Sequence, residues 1–103
     1  MKTRRKTVIV FVNSFGLKGA SADFERVFAD TAEFLCVQPG FLSHRLVRSA
    51  TDPTHYLNIA MWESEEALRA ATGRPEFADH GRRLRELAST DPRFFEPVLE
   101  RHA

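Results

Sequence analysis

Hydrophobic and polar positions along this 103-residue chain alternate between two periods, and the switches divide it into short elements. Thr7 to Phe15 is a run of β-branched and aromatic residues, read as a first strand. Ile9, Phe11, Asn13 and Phe15 share one of its faces, and Val8, Val10, Val12 and Ser14 share the other. Both faces are apolar, so the strand is predicted to be central and covered on both sides. Gly16 and Gly19 close it with a loop. Ser21 is placed to cap the next helix, and Asp23 and Glu25 suit its positive end. Phe24, Val27, Phe28, Thr31, Phe34 and Leu35 then form one stripe at helical spacing, which Gln38-Pro39-Gly40 ends. Phe41 to Ala50 alternates as a second strand, with the polar admixture of an exposed position. Thr51-Asp52-Pro53-Thr54 is a turn with Pro at its second position, and His55 to Trp62 is a third strand, so the two strands make a hairpin. Ser64 caps a short helix that Gly73 stops, and Pro75 opens another. That last helix carries Phe77, His80, Gly81, Leu84, Leu87 and Ala88 on one side. Asp91-Pro92 reads as a break and Arg93 to Arg101 as a fourth strand, set at an edge because Pro97 has no N–H to donate.

The order is βαββαβ, the split βαβ pattern of an α+β, ferredoxin-like fold. It fills a single domain, residues 7–103, behind a basic arm of residues 1–6. Strands one and three are expected as parallel neighbours at the centre of an otherwise antiparallel sheet, with the helices on one face. Ile9, Phe11, Asn13, Phe15, Tyr56, Asn58 and Trp62 are assigned to the face away from the helices. No segment remains to cover that face, and an apolar patch of that size calls for a partner. A second copy packed face to face is the expected cover, giving an obligate homodimer that closes a barrel between two sheets.

The third strand holds the candidate chemistry. Leu57, Ile59 and Met61 make one ordinary core face. Tyr56, Asn58, Ala60 and Trp62 make the other, and no charge lies on it. A buried amide needs hydrogen-bond partners. Two large aromatics, a small residue between them and one amide therefore describe either a core face with a satisfied Asn or the wall of an apolar pocket with one placed polar group. Parallel pairing of strands one and three would bring Asn13 and Trp62 to the same end of the sheet, where two amides and an indole converge.

Composition narrows the partners. At 43% apolar and 28% charged residues the chain is globular rather than disordered. Lys2, Arg4, Arg5 and Lys6 concentrate positive charge in the arm and leave the remainder net negative. The arm reads as solvated, because nucleic-acid binding would need basic residues interleaved with aromatics on the fold itself. An apolar run of about 18 residues, long enough to span a membrane, is absent from the sequence. The run from Val8 to Val12 is too short for the core of a secretory leader. Cys36 is a single cysteine, which forbids an intrachain disulfide and lacks the spacing of a metal site. The cytoplasm is the default location.

Asn58-Ile59-Ala60-Met61-Trp62-Glu63-Ser64-Glu65-Glu66-Ala67, with Pro39-Gly40-Phe41 upstream and Phe77-Ala78-Asp79-His80 downstream, resembles the antibiotic biosynthesis monooxygenase family of dimeric α/β-barrel proteins. The resemblance runs from about Thr7 to Val98 and implies an enzyme. One group in that family oxidises anthrone-type polyketides to quinones with molecular oxygen, using no metal, flavin or haem. Its functional residues are an Asn late in the first strand, an Asn in the third and a Trp four residues on, matched here by Asn13, Asn58 and Trp62 as catalytic candidates. An Arg twenty residues past the Trp, used by some members, is matched by Arg82. A Tyr six residues past it, used by others, is replaced by Leu68. Phe11, Phe15, Tyr56 and Arg82 are the expected substrate-binding residues. A second group degrades haem, with a first-strand Asn, a Trp on the helix after the third strand and an iron-ligating His. His80 matches that His, and Ala71 stands at the position of the Trp. The resemblance thus implies a cofactor-independent monooxygenase making a quinone from an aromatic polyketide. Haem binding or degradation through His80, and a non-oxidative cyclase or isomerase, are the alternatives. His44, His55 and Tyr56 are open as groups to move the substrate's proton.

Overall fold

The computed structural model describes residues 8–103, so the basic arm, residues 1–6, lies outside the described residues. The elements follow as β1 (Ile9–Leu17), α1 (Ser21–Leu35), β2 (Phe41–Arg48), β3 (His55–Trp62), α2 (Glu65–Thr72), α3 (Pro75–Leu87) and β4 (Ala88–Phe95). This is the α+β, ferredoxin-like order that the periodicity predicts. Several boundaries have the local causes read from the sequence. Ser64 Oγ accepts from the Ala67 N–H at 3.1 Å and caps α2. Pro75 stands in the first turn of α3, where its missing N–H costs nothing. Ser21, by contrast, is the first residue of α1 rather than its cap, which is Ala20 and makes no side-chain bond. Gly40 enters β2 at φ 89°, and a Cβ there would meet that of Ala67 at 2.5 Å. Only glycine lets β2 start so close beneath α2.

The sheet order is β2-β3-β1-β4. β1 and β3 are neighbours, as expected, but they are antiparallel and not parallel: Ile9 faces Trp62, Asn13 faces Asn58 and Phe15 faces Tyr56. The reason is topological. The α1 crossover returns β2 in the direction of β1, and the hairpin then reverses β3, which lies between them. Asn13 and Trp62 therefore do not share an end of the sheet. β4 also departs from expectation: it starts at Ala88, straight out of α3, and contains Pro92. As an edge strand it has one side free of pairing, so a proline is tolerated inside it.

The face assignment is inverted as well. Phe15, Tyr56, Asn58, Ala60 and Trp62 lie beneath the helices, not on the open face. Phe15 packs on Phe24 and Phe28 of α1 with ring centroids 5.0 and 6.0 Å apart, and Tyr56 packs on Phe24 at 4.9 Å. Trp62 sits against Leu68 and Ala71 of α2. Rings go where the gap between sheet and helices must be filled in depth. The opposite face, with Val10, Val12, Leu57, Ile59 and Met61, is flat and half-buried, and no element of the described chain lies over it.

Tyr56 donates its hydroxyl to Glu25, and burial first, then that hydrogen bond, push its phenol above the ordinary value. A raised folded value means that the contribution to stability is intact below the unfolded phenol's value of about 10 and is lost as pH climbs toward the folded one. Tyr56 is the only tyrosine, so phenolate absorbance reports it alone. The native protein should titrate at higher pH than the unfolded chain, and Tyr56→Phe should flatten the alkaline fall in stability. Native and unfolded titrations that coincide would refute this.

Candidate active site

Between the sheet and the helices lies an inner cavity of about 80 Å³, adjoining an outer compartment of about 320 Å³ across shared walls. The inner walls come from every layer: Phe11, Asn13 and Phe15 of β1, Asn58, Ala60 and Trp62 of β3, Phe41 and His44 of β2, Phe28 and Thr31 of α1, Leu68 of α2 and Phe77 of α3. No carboxylate, lysine or arginine among the described residues lines it. The antiparallel register creates the polar spot. Asn13 and Asn58 are direct cross-strand neighbours, which sets their Cβ atoms roughly 5 Å apart on one face.

The two amides differ in what holds them. Asn13 Oδ1 accepts the backbone N–H of Asp91 on β4 at 3.0 Å. That bond fixes the carbonyl end and leaves the Asn13 NH₂ as the free donor. Asn58 is only 7% exposed, and its Oδ1 has no hydrogen-bond partner among the described residues. A buried acceptor left unmade costs about 1–3 kcal/mol. One amide thus offers a donor and its neighbour an unsatisfied acceptor, side by side in an otherwise apolar cavity. Trp62, 1% exposed, stands edge-on to Phe41 at 5.4 Å. It lies on the same face as Asn58 four residues on, with Ala60 between, which is roughly 13 Å by strand rise. The indole and the amide pair therefore face opposite ends of one elongated cavity.

Of the expected residues, Asn13, Asn58, Trp62, Phe11 and Phe15 line this cavity. Three do not. Tyr56 is buried in the neighbouring ring cluster with Phe24, its hydroxyl committed to Glu25. Arg82 is on the exposed side of α3, bonded to Asp79 and, at 2.8 Å, to Glu86, and it holds the Asp79 carboxyl below the usual carboxylate range. His80 stacks on Phe34 at 5.6 Å with its Nδ1 3.4 Å from Thr31 Oγ1, between α1 and α3 and outside the cavity lining. Among the proton carriers left open, His44 lines the cavity, whereas His55 is bonded through Nε2 to Ser14 Oγ at 2.7 Å on the far face of the sheet. Sequence reasoning missed Phe41, Thr31 and the arginines of the outer rim, Arg69 and Arg85. Arg85 was findable: at 100° per residue it lies about 80° from Phe77, on the shoulder of the apolar stripe, whereas Arg82 lies about 140° away.

A family model described as antibiotic biosynthesis monooxygenase matches residues 7–83. The chain belongs to the antibiotic biosynthesis monooxygenase family. It is 41% identical over 87 residues to deoxynogalonate monooxygenase of Streptomyces nogalater, across 84% of this chain and 74% of that one. It is 35% identical over 72 residues to a heme oxygenase (mycobilin-producing) of Mycobacterium tuberculosis, across 69% of each. Among solved structures, SnoaB, a cofactor-independent oxygenase from Streptomyces nogalater, matches with a TM-score of 0.89 at 39% identity, covering 91% of this chain and 96% of that one. These relatives are named as oxygenases, and this chain is a monooxygenase of their family. No helix among the described residues is long and apolar enough to cross a membrane.

The unpartnered Asn58 carbonyl gives a stability test. Replacing it with the similar-sized Leu removes the buried acceptor, so Asn58→Leu should raise unfolding free energy in denaturant titrations by about 1–3 kcal/mol while abolishing turnover. A destabilised Asn58→Leu protein would show that the amide is satisfied after all.

Proposed function

We propose that this enzyme is a cofactor-independent monooxygenase that converts an anthrone-type polycyclic phenol into a quinone with molecular oxygen. The observation that carries this reading is the Asn13 and Asn58 pair, one free donor beside one unmet acceptor in an apolar cavity. An anthrone presents a carbonyl or its enol hydroxyl on a flat, fused-ring body, and that pair suits both forms. The methylene opposite the carbonyl is acidic because its anion spreads over the rings. As it loses a proton, charge gathers on the carbonyl oxygen, where the Asn13 N–H stabilises it. His44 is the base in the cavity wall for that proton. The anion passes one electron to oxygen, and the resulting radical pair combines at the former methylene carbon. Protonation gives a hydroperoxide, and loss of water leaves the second carbonyl, so CH₂ plus O₂ becomes C=O plus H₂O. Trp62 and the phenylalanines exclude water and hold the ring system flat. The description of SnoaB as cofactor-independent supports the same chemistry. The position of His80 outside the cavity lining argues against a haem ligand on this chain.

The functional unit in this reading is a homodimer. Two copies meet through the flat face of Val10, Val12, Leu57, Ile59 and Met61, which no described element covers. Light scattering at micromolar concentration should give a dimer and, for Ile59→Lys, a monomer. A wild-type monomer would overturn the pairing.

For the chemistry, anthrone plus air should yield anthraquinone with oxygen uptake, without added cofactor and unaffected by chelator. Asn13→Ala should lower kcat by about 100- to 1000-fold, the scale of one oxyanion donor, and Trp62→Phe should slow turnover without unfolding the protein. Product formed without oxygen consumption would point instead to a cyclase or isomerase.

A further inference from the structure

The register lays a track of side chains across the floor of the cavity. Residues paired across neighbouring strands share a face, which sets Phe94, Phe11, Ala60 and His44 in one row from the β4 edge to β2. Phe11 lines both compartments, and Ala60 and His44 line the inner one. Phe94 lines only the outer one, where it is 37% exposed. The rings of Phe94 and Phe11 are 5.4 Å apart between centroids. A ligand entering over the β4 edge therefore slides along two rings before it reaches Ala60, the neighbour of Asn58 on the same face. At the other end of the row, His44 borders a separate groove between α1 and β2, lined by Glu25, Glu33 and Cys36.

Arg69 of α2 leans over the β4 end of this row. Its guanidinium stands 5.2 Å from the centre of the Phe94 ring. Glu65, one turn back on α2, steadies it there by accepting from Nε at 2.7 Å. Among the described residues no hydrogen bond joins α2 to β4. The bridge from roof to floor is thus a contact between two side chains, which parts by rotation without moving the backbone. A ring passing between two flat groups needs about 3.5 Å on each side. Against the 5.2 Å present, the guanidinium has to lift by roughly 2 Å to admit one.

We propose that Arg69 and Phe94 form the gate of the active site and control the entry of aromatic ligands. This rests on the reading of the cavity as an oxygenase site and adds the route by which it fills. The gate closes again behind the ligand, so it slows entry and exit alike and leaves affinity unchanged. The plainer account of Arg69 is an i, i+4 ion pair that steadies α2. In that account neither side chain has any influence on access, so a kinetic experiment separates the two.

Trp62 is the only tryptophan and lines the inner cavity, so its fluorescence reports arrivals there without any need for turnover. Stopped-flow quenching by 1-hydroxyanthraquinone measures association and dissociation, and collisional quenching by acrylamide measures access with no substrate at all. Arg69→Gln and Phe94→Leu should each raise both rate constants by about two- to fivefold, the weight of one exposed cation–π contact, and acrylamide quenching should rise with them. The double variant should be no faster than the faster single one, because either change opens the same contact. Arg26→Gln, which removes a surface ion pair on α1, should change nothing. Unchanged rates in the two single variants would overturn the proposal and direct entry to the groove beside His44. Effects that multiply in the double variant, or that fall on dissociation alone, would overturn it as well. If the quinone does not bind, the oxygenase reading is what fails, and acrylamide still decides whether Arg69 and Phe94 guard the cavity.

Discussion

The structure turns on the antiparallel register that sets Asn13 against Asn58 at the centre of the sheet. Strand side chains alternate with a period of two, so a slip of one residue in either strand would throw its amide onto the outer face and break up the pair. Rings hold the register on either side of the pair. Phe15 faces Tyr56 two residues away, locked against Phe24, and at the other end Trp62 faces Ile9 and packs beneath α2. Full burial of one such apolar side chain contributes about 1.5–3 kcal/mol, against about 1–3 kcal/mol for one unmade hydrogen bond at Asn58. Several rings against one orphaned carbonyl leave the balance well on the side of folding. The sheet can therefore keep an unsatisfied acceptor in its interior, ready for a ligand, without losing the pairing that positions it.

Much of this was legible in the residues. The third strand has the bounds its alternation implies, the stripe of α1 buries Phe24, Val27, Phe28 and Thr31, and the Ser64 and Pro75 signals mark true helix starts. The pattern failed where it is symmetric. β1 and β3 are apolar on both faces, and a period of two says that the faces differ without saying which one the helices take. Side-chain volume carries that information: Phe, Tyr and Trp fill the depth under α1 and α2, while Val, Ile, Leu and Met make a flat exterior. Strand direction was also within reach, since a hairpin placed between β1 and β2 must run against both. Pro92 misled for a different reason. In sequence Asp91-Pro92 marks a break, yet on an edge strand a proline interrupts nothing when its nitrogen faces away from the ladder.

The inversion of faces changes where the chemistry resides. A hollow sealed between two sheets would depend on a partner for its walls. The cavity here is lined by the sheet and three helices of one chain, so its walls do not depend on a partner. Leu68 shows the same economy: it lines both compartments and is almost fully buried. A hydroxyl there would require a partner that the surrounding Phe77, Thr72 and Leu84 supply poorly. Leucine leaves the polar groups of the interior to the Asn pair, Thr31, His44, Thr72 and the Trp62 indole N–H.

The separation of the indole from the amides then sets the shape of what can bind. With roughly 13 Å of strand between Asn58 and Trp62, and along β3 only the Ala60 methyl between them, a small phenol could engage one end or the other. A fused-ring molecule lying flat over Ala60 reaches both, because its length, not its flexibility, bridges the gap. Rigid ligands lose little conformational freedom on binding, so the cavity needs few polar contacts to hold one. That matches what the walls provide: many rings, two amides, and a cation only where the cavity meets water.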